Sequence, residues 1–236
     1  MKIALLGYGR MGKEIEEIAL QRGHEIVLKV SKDENYDISK AEIAIDFSVP
    51  SAAFYNITNC FKNGVPVVSG TTGWLEKYNS ALDICTEYKG SFIYASNFSL
   101  GVNLFFELNK KLASMMNSLE DYTVSIEEIH HTKKLDAPSG TAITLADGII
   151  ENSQKKEWEL QRNKSNVEIT SIPIDAKRIP DVPGTHTITY ESEVDSIEIT
   201  HTAHSRKGFA LGAVIASEWL VNKTGVFSMK DVLNIG

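Results

Sequence analysis

Two strings in this 236-residue chain combine reactive residue types with spacings that let them act together. The first is Gly7-Tyr8-Gly9-Arg10-Met11-Gly12, a GxGxxG string between a short apolar run and a helical pattern. At that spacing Gly7 allows a tight turn, Gly9 lets a pyrophosphate approach the backbone and Gly12 lets helix and strand pack closely, while helix N–H groups face the phosphates. Dinucleotide binding is the expected chemistry, against a plain structural turn. An acid about 20 positions on would hold the adenine-side ribose of NAD. The chain there reads Val30-Ser31-Lys32-Asp33-Glu34. Ser31 and Lys32 suit a 2′-phosphate, Asp33 or Glu34 would serve NAD with a shift of one or two residues, and Lys32 also reads as a solvated charge. The expected cofactor is therefore NADPH and/or NADH.

Three further loops end on the same expected edge. Gly70-Thr71-Thr72-Gly73 offers small hydroxyl residues for a nicotinamide ribose and amide, or else a simple turn; Asp46-Phe47-Ser48 and Ala95-Ser96-Asn97-Phe98 close neighbouring strands.

The second string is Glu128-Ile-His130-His131-Thr-Lys133-Lys134-Leu-Asp136-Ala-Pro138-Ser139-Gly140-Thr141-Ala142. Two histidines and two lysines end a strand pattern, and a Pro-Ser-Gly-Thr turn then opens a helix. Amides at Gly140 and Thr141 with the Ser139 and Thr141 hydroxyls form an anion site, and Lys134 adds a full charge for a carboxylate. A histidine beside it supplies a proton near neutral pH. Zinc at His130, His131, His201 and His204 is the rival, but neither a His/Glu helix motif nor a cysteine pair is present, so no metal is expected. Cys60 and Cys85 read as buried thiols of a reducing compartment.

The elements that must position these residues follow from periodicity. Apolar runs at 2–6 and 25–30 flank a helix marked by Met11, Ile15, Ile18 and Ala19; strands at 42–47, 65–69 and 92–95 alternate with helices at 50–62 and up to 87. Strands and helices alternating at this pitch imply a doubly wound parallel sheet, Rossmann-like in class. After Asn97 the pattern changes. A helix over 100–116 with Leu104, Leu108, Leu112 and Met115 on one stripe links to strands at 122–129, 167–172, 185–191 and 196–202, with a helix at 139–152 and a polar loop or frayed helix at 153–166. That is an α+β domain with an open, mostly antiparallel or mixed sheet. A glycine-punctuated helix from Ser205 returns to the first domain. The expected division is 1–98 completed by 207–236 for the dinucleotide, and 99–206 for substrate and oligomerisation.

Composition bounds the function. There are 24 Lys+Arg against 31 Asp+Glu, a net charge of −7, and no basic block, which argues against nucleic acid or an anionic membrane as partner. No apolar stretch approaches the roughly 20 residues of a membrane span, and the cytoplasm is the expected address.

Together these strings resemble the 4-hydroxy-tetrahydrodipicolinate reductase (dihydrodipicolinate reductase) family. The likeness covers essentially the whole chain: GYGRMG, GTTG, SNFSLGVN at 96–103, EIHHTKKLDAPSGTA at 128–142 and the tail HTAHSRKGFALGAVIASEWL. The resemblance implies that Gly7, Gly9, Arg10, Met11 and Gly12 contact the dinucleotide and that Gly70, Thr71, Thr72, Ala95, Ser96, Asn97 and Phe98 hold its nicotinamide end. It makes His130 the acid/base residue and Lys134 the proton donor, with His131, Gly140 and Thr141 gripping a small dicarboxylate. A homotetramer built through the second sheet is implied too. The chain departs from the family pattern at Arg178-Ile-Pro-Asp-Val-Pro-Gly-Thr-His186, where Pro180 and Pro183 stiffen a loop expected to be richer in glycine, and at Ser31-Lys32, which lack the expected acid. Two rivals are a different dinucleotide dehydrogenase, which needs a carboxylate-pairing Arg or a nucleophilic Cys in the second domain, and a dinucleotide sensor, which has no use for HHTKK and PSGT together.

Overall fold

The structure is a computed structural model and describes residues 1–31, 35–161 and 168–235. The chain divides into two compact units, Met1–Asn103 with Arg206–Gly236, and Leu104–Ser205.

The first unit opens with β1 (Lys2–Leu6), whose last four residues are buried, followed by α1 (Arg10–Gln21) and β2 (Glu25–Val30). Then come β3 (Ile43–Asp46), α2 (Pro50–Lys62), β4 (Val67–Ser69), α3 (Tyr78–Glu87) and β5 (Ser91–Tyr94). Every pairing among these strands is parallel. Strands buried on both faces read as continuous apolar runs, which is what the alternation with helices demanded.

The chain leaves through α4 (Leu100–Met116). Of the predicted stripe on this helix, Leu112 packs against the core and the rest does not. Leu104, Leu108 and Met115 point outward, whereas Phe105, Ala113 and Met116 join the core and the buried Asn109 donates to the Leu145 carbonyl at 2.9 Å. A buried amide makes the contact to the next helix, and counting leucines cannot reveal that.

The second unit continues with β6 (Thr123–His130), α5 (Gly140–Ile150), β7 (Glu157–Leu160), β8 (Ser171–Arg178), β9 (Gly184–Glu191) and β10 (Ser196–Ala203). The sheet order is β10-β9-β6-β8-β7, with parallel β6–β8 and β7–β8 pairs and antiparallel β6–β9 and β9–β10 pairs, a mixed sheet. Two expectations need correction. The segment 153–166, read as a loop, contains strand β7, because Trp158 and Leu160 alternate with glutamates on a half-buried edge. The strand expected at 167–172 lies at Ser171–Arg178, where Pro173 sits inside it; residues 162–167 lie outside the described part.

The chain then returns to the first unit as α6 (Lys207–Leu220), β11 (Gly225–Phe227) and α7 (Met229–Leu233). Sequence periodicity did not reveal β11. It pairs parallel with β5, giving a six-stranded order β11-β5-β4-β3-β1-β2. One face packs on α1 and α6 through Ile15, Ala213 and Val214, the other on α2 and α3 through Ile57, Phe61 and Ala81.

Candidate functional site

In the first unit β1 pairs with both β2 and β3, and the sheet grows outward in opposite directions from that point. Open α/β sheets bind ligands beyond the strand ends at such a switch. A cleft of about 970 Å³ lies there, lined among others by Gly7, Tyr8, Gly9, Ser31, Tyr36, Ser48 and Tyr55. Lys32 lies outside the described residues.

The glycine string has the geometry its spacing requires. Gly7 sits at φ +94°, and a Cβ there would stand 2.3 Å from the Phe47 carbonyl oxygen; a Cβ at Gly12 would stand 2.6 Å from that of Gly7. At Gly9, by contrast, a Cβ would meet nothing within 4 Å. Gly9 is also the N-cap of α1, with no side-chain cap and no acid in the first turn. Arg10 is exposed and Met11 packs partly on the core. The helix start is thus open and electropositive, which fits a pyrophosphate.

Asp46 organises the neighbouring loops. Its carboxylate is fully buried and accepts from Ser48 Oγ (2.7 Å), Asn56 Nδ2 (2.9 Å), Ser69 Oγ (2.8 Å) and Thr71 Oγ1 (2.8 Å), and the Thr71 hydroxyl in turn accepts from the Ser48 amide at 2.8 Å. Burial pushes the carboxyl above its usual range, against the pull of those four donors. The Phe47 ring lies on Gly70, where a Cβ would come within 2.3 Å, and against the Phe98 ring with centroids 5.7 Å apart. Loops 46–48, 70–73 and 95–98 are therefore one packed assembly. Thr71 faces inward to Asp46, and Phe98 is buried, while Thr72 and Ser96 are exposed, Ala95 and Asn97 lie half-buried, and Asn97 Oδ1 accepts from the Ser99 amide. Asp46→Ala strips four donors of their acceptor, so a stability loss of about 3 kcal/mol is expected in urea unfolding, with weaker dinucleotide binding in parallel.

In the second unit β6 alternates, and Val124, Ile126, Glu128 and His130 occupy its buried register. Opposite them stand Tyr190, Ile188 and His186 on β9 and Ile174, Ala176 and Arg178 on β8. The face is apolar along most of its length and turns polar at its end. Glu128 is fully buried there: Oε2 accepts from the Ser139 amide at 3.0 Å and lies 3.4 Å from His130 Nδ1 and 3.7 Å from His186 Nε2, while Oε1 accepts from Arg178 Nη2 at 3.1 Å. Arg178 Nη2 also donates to the Asp136 carbonyl at 2.6 Å. Because β6 lies between β8 and β9, the connection through Pro180 and Pro183 crosses the end of β6, where the Ile179 amide donates to the His130 carbonyl at 2.8 Å. Gly184 leaves room for the imidazole, since a Cβ there would stand 3.0 Å from His130 Nε2.

Burial would raise the Glu128 carboxyl, but donors from His186, Ser139 and Arg178 hold it down at about 2. Burial lowers His130 to about 4, with Glu128 opposing and His186, Lys134 and Arg178 reinforcing the shift. A histidine kept neutral on folding must charge when the chain unfolds in acid. Its contribution is fully present above pH 6.5 and is lost as pH falls toward 4, at a cost of about 3 kcal/mol. The unfolding free energy from urea titrations should fall by that amount between pH 7 and 4, and His130→Gln should flatten the fall.

The remaining predicted residues are placed as follows. Lys134 Nζ pairs with Asp136 at 2.8 Å. His131 is half-buried, with a sealed Nδ1 that has no hydrogen-bond partner. Ser139 caps α5, accepting from Ala142 N, and its hydroxyl meets His186 Nε2 at 3.1 Å. Its groups are engaged internally, which leaves the Gly140 and Thr141 amides without acceptors among the described residues. His201 lies on β10 against Phe105, with centroids 6.0 Å apart, so the four histidines of the zinc alternative do not gather; Glu128, His130 and His186 do, around the contacts to Ser139 and Arg178. Sequence reasoning missed Glu128, Arg178, His186 and Asp46 as site residues. For Glu128 a signal existed: an acid two residues before His130 shares its face of a strand, in a register otherwise apolar.

A parallel sheet with an open glycine-rich switch point, joined in one chain to a mixed sheet that ends in a buried imidazole–carboxylate cluster, defines the class: a two-unit, nicotinamide-dependent oxidoreductase. Comparison with known proteins narrows it. The profile described as dihydrodipicolinate reductase, N-terminus, matches residues 1–98, and that described as dihydrodipicolinate reductase, C-terminus, matches residues 101–233. The chain is 64% identical to a 4-hydroxy-tetrahydrodipicolinate reductase of Christiangramia forsetii, over 99% of this chain and 98% of that one, and 36% identical to one of Thermosipho africanus, again over 99% and 98%. Among solved structures it is similar to a dipicolinate-bound dihydrodipicolinate reductase from Paenisporosarcina sp. TG-14, with a TM-score of 0.78 at 25% identity over 100% of this chain and 99% of that one. The chain belongs to the dihydrodipicolinate reductase family.

Proposed function

We propose that His130 and Lys134 handle the proton in the family's reaction, that the loops around Gly7–Gly12, Gly70–Thr72 and Ala95–Phe98 hold NADPH or NADH, and that His131, Gly140 and Thr141 grip the substrate. As a member of that family the enzyme reduces 4-hydroxy-tetrahydrodipicolinate to tetrahydrodipicolinate, a step of diaminopimelate and lysine biosynthesis. The bound dinucleotide supplies hydride from its nicotinamide C4. The chain's own residues must bind two carboxylates, deliver one proton and keep water away.

One observation carries this division of labour. Glu128 ties the Ser139 amide, at the start of α5, to the imidazole of His130, so the anion-accepting helix start and the proton-handling group share one anchor. The Gly140 and Thr141 amides donate to a substrate carboxylate, assisted by the helix dipole and by Lys134. With its affinity for a proton depressed by burial, His130 is neutral at pH 7 in the free enzyme. A dianion beside it opposes Lys134 and Arg178, so protonation is coupled to substrate binding. His130 then gives up that proton as the ring is reduced.

Residues 1–98 with 207–236 serve the dinucleotide in this reading, and 99–206 serve substrate and assembly. We place the enzyme in the cytoplasm as a homotetramer formed through the second sheet. Two buried free cysteines agree with a reducing compartment, and among the described residues no helix is long and apolar enough to cross a membrane. Sedimentation should report four chains.

The decisive assay follows oxidation of NADPH and of NADH, each with and without the condensation product of aspartate semialdehyde and pyruvate. Oxidation is expected only with that product present. Absence of turnover with both nucleotides would overturn the proposal.

A further inference from the structure

We propose that Glu128, held by Arg178 and the Ser139 amide, is the positioning residue for His130: it fixes the imidazole with its proton on Nδ1, leaving Nε2 to exchange the proton with substrate, and it is the counter-charge of the imidazolium. The proposal rests on the assignment of His130 made above.

The geometry supports it from three sides. His130 Nδ1 is sealed from solvent and closes no hydrogen bond, yet it lies 3.4 Å from Glu128 Oε2. A nitrogen buried without a partner is costly, and the Glu128 oxygen beside it belongs to an ionised carboxylate, so a small rotation of the ring gains a charge-assisted bond. Glu128 itself has little freedom. It sits in the buried register of a central strand, with one oxygen on Arg178 and the other on the Ser139 amide. Arg178 is fixed in turn by the Asp136 carbonyl, on the loop that carries Lys134.

The charged and titratable groups around His130 come from several neighbouring elements: Glu128 on β6, Arg178 on β8, His186 on β9 and Lys134, itself paired with Asp136, in the loop before α5. Glu128 is the only anion of the four. Lys134 is already paired with Asp136 at 2.8 Å, so without Glu128 an imidazolium would face the Arg178 guanidinium with no carboxylate of its own, and the proton would not reside on the ring. With it the balance is simple: the imidazolium carries N–H on both nitrogens, Nε2–H breaks as the proton passes to substrate, and the neutral Nδ1–H form remains, donating to Glu128. The carboxylate stays ionised throughout, as in other carboxylate–histidine pairs.

The test reads the tautomer directly. Nitrogen-15 NMR of the histidine rings of the native enzyme, with His130→Gln identifying the signal, should show neutral His130 protonated on Nδ1 at pH 7. An Nε2–H form would overturn the proposal, and this measurement does not depend on any Glu128 variant folding. In kinetics, Glu128→Gln should lower kcat about 10- to 100-fold with the NADPH dissociation constant within twofold. Introduced into His130→Gln, it should change kcat less than twofold, because a positioning residue has nothing left to position. An undiminished effect in that background would overturn the proposal. Should His130→Gln itself leave kcat unchanged, the assignment of the acid fails, while the tautomer still answers for Glu128. The pair Glu128→Gln/Arg178→Gln removes both buried charges together and controls for an unpaired guanidinium.

Discussion

His130→Gln is expected to lower kcat by about 10²- to 10³-fold while leaving the NADPH dissociation constant unchanged, the range that loss of a positioned general acid produces. Glutamine keeps a polar group of similar size in the pocket at the end of β6 but cannot take up or release a proton. The glycine-rich cleft belongs to the first unit, and His130 to the second. A fall in kcat with intact cofactor binding therefore separates proton transfer from dinucleotide capture. Stopped-flow measurement of a single turnover, beside a fluorescence titration with NADPH, reads the two quantities independently. Loss of NADPH affinity in this variant would contradict the assignment.

The second large effect concerns two glycines separated by a single residue, Tyr8. Gly7→Ala should cost about 3 kcal/mol or more, because the new methyl would lie 2.3 Å from the Phe47 carbonyl oxygen on a backbone at φ +94°. Thermal unfolding should register a marked drop in Tm. Gly9→Ala should unfold close to wild type, since its methyl enters open space, yet weaken NADPH binding at least tenfold, because that space is where a pyrophosphate must approach the helix N–H groups. A pair of variants that behaved alike would refute the reading of the cleft.

Much of the architecture was legible because it rests on local periodicity. Buried parallel strands are continuous apolar runs, and helices between them announce themselves by apolar residues three and four apart, so the Rossmann-like class and the mixed second sheet followed from the sequence alone. The misses have separate causes. Strand β7 hides in a polar stretch because an edge strand buries only Trp158 and Leu160, and β8 runs through Pro173. The face of α4 was misread because its contact with α5 uses Asn109, which reaches the Leu145 carbonyl beside Gly148, where a leucine was expected.

By itself, the sequence determined which chemical groups are present and how they are spaced: the GxGxxG turn, HHxxK and a helix-opening PSGT. Their types and local conformations are properties of short segments. What only the tertiary structure decided is which distant groups those segments meet. Glu128 lies within two residues of His130, but Arg178, His186 and Ser139 are brought to it by strand register across β8, β6 and β9 and by the start of α5. Asp46 likewise gathers Asn56, Ser69 and Thr71 from separate elements. The physical reason is that a buried charge must be surrounded by donors in three dimensions, and a chain supplies most of them from residues far apart along it.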